Sequence, residues 1–312
     1  MPAVLEFQDI LKDYRALFRK RSVRALDHFT LQVEEGEIFG FLGPNGAGKT
    51  TAIHLAMGFV RPTKGRGLMF GKRFGHAATR RRVGFLAENV ALYHRPAEKL
   101  VRFYGALNGL TGETLTRRTR EALDAVNLLH ESSRNVAKFS RGMLQRIGLA
   151  QAIVHEPDLL ILDEPTSALD PLARFAVREM LLDWRRRGKT IFLSSHLLSE
   201  VELVCDRIAV LNHGRIVRLG RPADLLESRE NFEIIASGVP AASFAGAESS
   251  SDGRIRIQAV AANQRAAIER VWTMGGEVVS VSPHKRTLED LFLELTGAPA
   301  TNPQAGTIEE SR

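Results

Sequence analysis

The segment Gly43-Pro44-Asn45-Gly46-Ala47-Gly48-Lys49-Thr50 has the residue types and spacing to hold a chain of phosphates. It meets the pattern G-x-x-x-x-G-K-[ST] through Gly43, Gly48, Lys49 and Thr50, with Thr51 following. Glycines let successive backbone N–H groups converge on one phosphate, and a helix that starts at the end of the loop adds its positive end. Lys49 supplies a point charge for the β- and γ-phosphates, and the Thr50 hydroxyl is a ligand for Mg²⁺. A glycine-rich turn with a stray lysine would need none of the flanking features, yet an apolar run precedes this segment and a helical pattern follows it. The second half of such a site is an apolar strand ending in acid, and Leu159-Leu160-Ile161-Leu162-Asp163-Glu164 supplies it. A buried parallel strand delivers Asp163 beside the loop, where it can hold Mg²⁺ through water. Glu164, one residue on, is placed to polarise an attacking water as general base. ATP and Mg²⁺ are therefore the expected ligands.

The elements that must position these groups are legible as alternating patterns. Val4–Phe7 and Leu31–Val33 alternate, Glu37–Leu42 is a short apolar run ending at glycine, and residues 49–58 carry a helical pattern. From about Glu98 to Gln151 the pattern is mostly helical, with Leu100, Phe103, Tyr104 and Leu107 on one face. Strand patterns return at 159–162, 190–193 and 207–211, separated by helical stretches. Strands alternating with helices predict an α/β core with a largely parallel sheet, interrupted by a helical insertion. After Gly220 the pattern changes to strands at 232–235, 255–260 and 277–281, helices at 262–274 and 288–295, and an Ala/Ser/Gly-rich loop at 238–253. That is a small α+β domain. The expected division is 1–225 for the first domain, with its helical part at about 89–155, then 226–298, then a disordered tail at 299–312.

Composition narrows the class. The chain has 312 residues, enough for one large domain or one with a smaller companion. No apolar run approaches the roughly 20 residues of a membrane-spanning helix, and the first residues lack the basic-then-apolar layout of a signal peptide. A cytoplasmic protein is expected. The single cysteine, Cys205, excludes an internal disulfide and a multi-cysteine metal cage, and its apolar surroundings read as core. The net charge of +7 gathers at Arg19–Arg21, Arg80–Arg82 and Arg185–Arg187. These read as solvated faces, or as attraction to nucleotide or anionic lipid. They lack the interleaved aromatics of a single-strand nucleic-acid platform.

Three further segments identify a family. Phe139-Ser140-Arg141-Gly142-Met143 precedes a helix, Ser167-Ala168-Leu169-Asp170 follows the acidic strand end, and Ser194-Ser195-His196 closes another apolar strand. Together with the phosphate loop, and in this order over residues 3 to about 222, they resemble the nucleotide-binding subunit of an ATP-binding cassette (ABC) transporter. The resemblance implies a P-loop NTPase cassette: a parallel-sheet core, an antiparallel β subdomain and a helical insertion, here with the small C-terminal α+β domain added. It implies that Ser140 and Gly142 cap the γ-phosphate of ATP held on a second cassette, and that Asp170 links the two sites. It also implies that His196 contacts the γ-phosphate and steadies Glu164. An aromatic early in the chain should stack on adenine. Tyr14 is the expected residue, with Phe18 as the alternative because Arg15–Arg24 is longer than usual.

Two positions depart from the family pattern. Glu88 stands where a glutamine is expected; its oxygens can still reach Mg²⁺ or water, but it brings negative charge near the γ-phosphate. Arg141 stands in the signature where glycine is usual, adding positive charge. Both variants, and the terminal segments 276–283 and 287–297, resemble the ABC-2 type branch, whose cassettes pair with separate permeases and often export drugs, lipids or polysaccharides. The implied partners are an ABC-2 type membrane permease and a second cassette, with the permease groove between Glu88 and the helical insertion and Leu92, Tyr93 and Phe103 as contacts. The competing class is a soluble cassette ATPase acting on nucleic acid or ribosomes. A single phosphate loop, a compact helical insertion and the lack of zinc-binding cysteines argue against nucleic acid as partner.

Overall fold

The structure, a computed structural model, describes residues 2–15, 22–88, 94–226, 231–250, 252–284 and 287–296. The chain divides into two compact units: Met1–Pro222 with Phe292–Arg312, and Ala223–Leu291. The boundary falls between Pro222 and Ala223, three residues before the place expected from the sequence. The described residues from Phe292 onward, 292–296, group with the first unit rather than with the small domain. One tie is visible: Asn212 Nδ2 donates to the Leu295 carbonyl at 3.2 Å. The expected tail at 299–312 and the residues Phe18, Leu92 and Tyr93 lie outside the described residues.

In the first unit, the strands β1 (Ala3–Arg15) and β2 (Ser22–Glu34) form a long antiparallel pair. β1 also pairs with β4 (Lys64–Met69), and β4 with β5 (Lys72–Arg73). A second sheet has the order β10-β9-β3-β8-β7-β6, with β3 at Ile38–Leu42, β6 at Val83–Leu86, β7 at Leu159–Asp163, β8 at Thr190–Ser194, β9 at Arg207–Asn212 and β10 at Arg215–Gly220. All its pairings are parallel except the edge pair β9–β10. Every residue of β3, β7 and β8 is buried. Covered on both faces, such strands read as continuous apolar runs rather than alternation, which is what 159–162 and 190–193 show. Phe39, Phe41 and Phe192 stack through this layer, with ring centroids 5.4–5.9 Å apart.

The helices are α1 (Lys49–Ala56), α2 (Ala77–Arg80), α3 (Ala97–Leu107), α4 (Gly112–Ala125), α5 (Arg141–Ile153), α6 (Pro171–Arg186) and α7 (Leu198–Val204). Helices α3 to α5 form the insertion between β6 and β7. The face expected on α3 is corrected. Ala97, Leu100, Val101 and Gly105 are buried, whereas Phe103 is 45% and Leu107 62% exposed. Gly105 explains the rotation: a Cβ there would lie 2.7 Å from Leu115 Cδ1, so α4 packs against this glycine's side of the helix. Of the basic runs, Arg19–Arg21 lies outside the described residues, and the other two are partly paired. Arg82 reaches Asp158 at 2.6 Å, Arg185 reaches Asp206 at 2.5 Å, and Arg186 and Arg187 share Asp183. Exposed pairs of this kind contribute about 0–1 kcal/mol each, so Arg80–Arg82 and Arg185–Arg187 read as solvated faces.

The second unit begins within α8 (Pro222–Leu226). It contains an antiparallel sheet of order β12-β13-β11-β14, with β11 at Asn231–Ser237, β12 at Glu248–Ser249, β13 at Arg254–Val260 and β14 at Glu277–His284. β13 alternates exposed and buried along its whole length, as a one-sided sheet requires. Helix α9 (Ala261–Thr273) covers the apolar side through Val271, against Ile234, Ile255 and Ile257. Helix α10 (Leu288–Thr296) follows.

Candidate functional site

Sheet order explains why residues far apart in sequence meet. In parallel strands all C-terminal ends lie along one edge, and β3, β8, β7 and β6 are neighbours. After those strands come Gly43–Gly48, Ser195–His196, Glu164 and Glu88. All of these except Ala47 and Ser195 line one cavity of about 660 Å³, together with Lys49, Thr50, Thr51, Asp163 and Ser167.

The loop geometry requires two of its glycines. Gly48 sits at φ +112°, and a Cβ there would fall 2.4 Å from the Ala25 carbonyl oxygen. Gly43 has ordinary φ, but its Cβ would fall 2.5 Å from the Leu211 carbonyl oxygen. Both are close approaches of backbone to backbone that no side chain permits. Helix α1 starts at Lys49, so its first N–H groups face the cavity. The Lys49 ammonium donates to the carbonyls of Gly43 at 2.5 Å and Pro44 at 3.3 Å. Burial pushes its pKa below the usual lysine value, against the attraction of Glu164, Asp163 and Glu88. A buried cation facing a cavity in this way is arranged for an anion that would complete its pairing.

The acidic side is held by a tight network. Asp163 Oδ2 accepts from Thr50 Oγ1 at 3.3 Å, and Asp163 Oδ1 accepts from Ser194 Oγ at 2.5 Å. Asp163 and Ser194 are also direct partners in the β7–β8 register. Glu164 adopts φ +53°, a left-handed conformation uncommon for a non-glycine residue. Its N–H donates to the carbonyl and hydroxyl of Ser194 at 3.1 and 3.2 Å. Its carboxylate, only 10% exposed, is hydrogen-bonded to His196 Nδ1 at 2.7 Å. This turn aims Glu164 into the cavity with its position fixed from both sides.

One residue in this network was not foreseen. Gln145, buried in the first turns of α5, donates Nε2–H to the Glu164 carbonyl at 3.1 Å. Its only local signal was its place in the helix after the Ser140 segment. Removing the amide takes one donor from this carbonyl, which still accepts from Ser167 Oγ at 3.2 Å and the Ser167 N–H at 3.4 Å, a loss of about 0.5–1.5 kcal/mol. Gln145→Leu is expected to lower ATP turnover about tenfold with ATP affinity within twofold, measured by steady-state hydrolysis and nucleotide titration. An unchanged rate would show that the Glu164 turn holds without it.

The remaining expected site residues lie elsewhere. Ser140 caps α5, its Oγ accepting from the Met143 N–H at 3.3 Å, and Asp170 caps α6, accepting from the Ala173 N–H at 2.8 Å. Neither lines the cavity, and neither do Arg141 and Gly142. Tyr14 is 40% exposed, stands opposite Val23 in the β1–β2 register and has Lys12 Nζ 4.8 Å from its ring centre. Val23, Arg24 and Ala25 line the cavity, and Tyr14 does not. Phe292 also lines it. No sequence signal pointed to these four residues as parts of the site.

A parallel sheet with a phosphate loop at its switch edge, an acidic strand end and a helical insertion define a P-loop nucleotide hydrolase of the cassette type. The family model described as ABC transporter matches residues 26–167. The chain is 40% identical over 239 residues to an ABC transporter ATP-binding protein of Synechocystis sp., covering 75% of this chain and 68% of that one. It is 32% identical over 312 residues to the bacitracin transport ATP-binding protein BcrA of Bacillus licheniformis, covering 95% and 98%. It is 30% identical over 314 residues to the linearmycin resistance ATP-binding protein LnrL of Bacillus subtilis, covering 94% and 98%. A solved ATP-binding subunit of an ABC transporter superposes with a TM-score of 0.65 at 32% identity, covering 71% of this chain and 91% of that one. The chain belongs to the family of ABC transporter ATP-binding proteins, the ABC ATPases.

Proposed function

We propose that this chain hydrolyses ATP to drive a separate membrane permease of the ABC-2 type, as an exporter. The observation that carries this reading is the extent of the match to BcrA and LnrL, whose names record bacitracin transport and linearmycin resistance. Both alignments cover 94% or more of this chain, so they take in the small C-terminal unit as well as the cassette. No described helix is long and apolar enough to cross a membrane. A membrane-spanning partner would therefore hold the chain at the cytoplasmic face. The exposed Phe103 ring and Leu107 side chain on α3 are the surface offered for that contact.

Lys49 and the loop N–H groups hold the β- and γ-phosphates, and Glu164, steadied by His196, polarises the attacking water. The oxygens of Thr50, Asp163 and Glu88 suit Mg²⁺. Among the described residues no cluster of three His, Cys, Asp or Glu could hold a metal alone. Mg²⁺ is typically bound through one or two carboxylates plus substrate phosphates, which this donor set matches. Bound there, the ion neutralises charge developing on the phosphates. Ser140 and Gly142 stand outside the cavity at the start of a helix, where hydroxyl, N–H groups and dipole suit an anion. They serve the ATP of a second cassette, so the working unit is a dimer.

The test is fractionation of cells expressing the tagged chain. It is expected to sediment with membranes, to leave them in detergent bound to a multi-span membrane protein, and to hydrolyse ATP faster in that complex than alone. Recovery with ribosomes or nucleic acid instead would favour the soluble class and sink the permease reading.

A further inference from the structure

We propose that Ser194 is the positioning residue for Asp163, its hydroxyl tying the metal-side carboxylate to the turn that aims Glu164. The proposal rests on the reading of the cavity as a site for ATP with Mg²⁺. Of Ser194-Ser195-His196, only the histidine lines that cavity. The two hydroxyls have different surroundings. Ser194 ends β8 directly opposite Asp163, the end of β7, and is fully buried. Directly paired residues of neighbouring strands point to the same face, so hydroxyl and carboxylate meet. Ser195 Oγ is engaged elsewhere, accepting from the Leu197 N–H at 3.0 Å.

The direction of the Ser194 proton follows from its neighbours. The Glu164 N–H can only donate, and it reaches Ser194 Oγ at 3.2 Å as well as the Ser194 carbonyl at 3.1 Å. The hydroxyl therefore accepts on that side, and its own proton goes to Asp163 Oδ1 at 2.5 Å. With Oδ1 held, Asp163 presents Oδ2 to the Thr50 hydroxyl at 3.3 Å, on the side of the phosphate loop. Asp163 is only 3% exposed, and hydroxyls rather than cations donate to its carboxylate. A buried charge met in this way gains most when a cation arrives. The donor that fixes the carboxylate plane then sets how well that cation is bound. Removing the hydroxyl has unequal effects on its two neighbours. The Glu164 N–H keeps the Ser194 carbonyl, whereas Asp163 Oδ1 loses its hydrogen-bond donor. The loss therefore falls on the metal side.

The test is titration of the full chain with ATP, in Mg²⁺ and again in EDTA. Ser194→Ala is expected to weaken ATP binding in Mg²⁺ about 10-fold, the cost of removing a hydrogen-bond partner from a metal-site carboxylate, and to leave the affinity in EDTA unchanged. Ser194→Thr keeps the hydroxyl and is expected to keep the wild-type affinity in Mg²⁺. Ser195→Ala, at a hydroxyl that does not touch Asp163, is expected to do the same. Should Ser194→Ala fail to fold, Ser194→Cys keeps the shape with only a weak donor and is expected to show the same selective loss. Wild-type affinity in Mg²⁺ for Ser194→Ala, or an equal loss in EDTA, overturns the proposal. So does a loss in Ser194→Thr as large as in Ser194→Ala. Wild-type protein that binds ATP equally in Mg²⁺ and in EDTA would sink the Mg²⁺ reading itself, a separate outcome.

Discussion

Glu164→Gln is expected to lower ATP turnover about 10²- to 10⁴-fold, the range that general-base catalysis contributes, while ATP affinity stays within a few-fold. Three features of the wild-type site lead to this. The carboxylate is almost fully buried, so bulk water cannot replace it as a proton acceptor. It is held by His196 on one side, and its own backbone is fixed in a left-handed turn by Ser194 and Gln145. Glutamine matches glutamate in shape and can keep the contact to His196, but it cannot accept the proton of an attacking water. On the proposed reading Lys49 and the loop hold the phosphates, and the substitution leaves them alone, so binding is expected to persist. In the same variant, ATP is expected to trap the closed pair of cassettes, seen as a doubling of mass on size-exclusion chromatography. Wild-type turnover in Glu164→Gln would remove Glu164 from the general-base role. Lost ATP binding would instead make it a structural or binding residue.

The second large effect is on affinity. Lys49→Ala should weaken ATP binding about 10- to 150-fold, because hydrogen bonds to charged groups are each worth about 1.5–3 kcal/mol. Lys49 is buried, it points to carbonyl oxygens of its own loop, and burial holds its pKa down despite three nearby carboxylates. A cation in that position gains most when phosphate oxygens arrive. The same physics predicts that Lys49→Ala leaves thermal unfolding of the nucleotide-free protein close to wild type, since its burial costs desolvation that only a ligand would offset. A clear fall in the nucleotide-free melting temperature, with ATP affinity unchanged, would turn Lys49 into a structural residue. Isothermal titration and differential scanning calorimetry separate the two.

The parts that were legible share a property: each depends on residues close together in the chain. Gly43 to Thr50 announces its chemistry because glycine, lysine and hydroxyl must follow one another along a single turn. Leu159–Leu162 and Thr190–Leu193 read as strands because covering both faces forces continuous apolar runs. The face of α3 was misjudged for the converse reason. Periodicity alone marked Leu100, Phe103, Tyr104 and Leu107, but a glycine at 105 let α4 approach and moved the buried stripe, leaving Phe103 and Leu107 exposed.

The phosphate loop, the acidic strand end, the signature segment and the His196 segment were determined by sequence, since each is a local pattern with a local physical cause. Their assembly was decided by tertiary structure. The strand order β3-β8-β7-β6 brings Lys49, Asp163, Glu164, His196 and Glu88 to one edge. The same order keeps Ser140 and Gly142 away from it, and helix α10 returns Phe292 to the cavity. Side chains hundreds of residues apart leave no spacing to read. Only the sheet order and the packing that follows from burying its faces can bring them within reach.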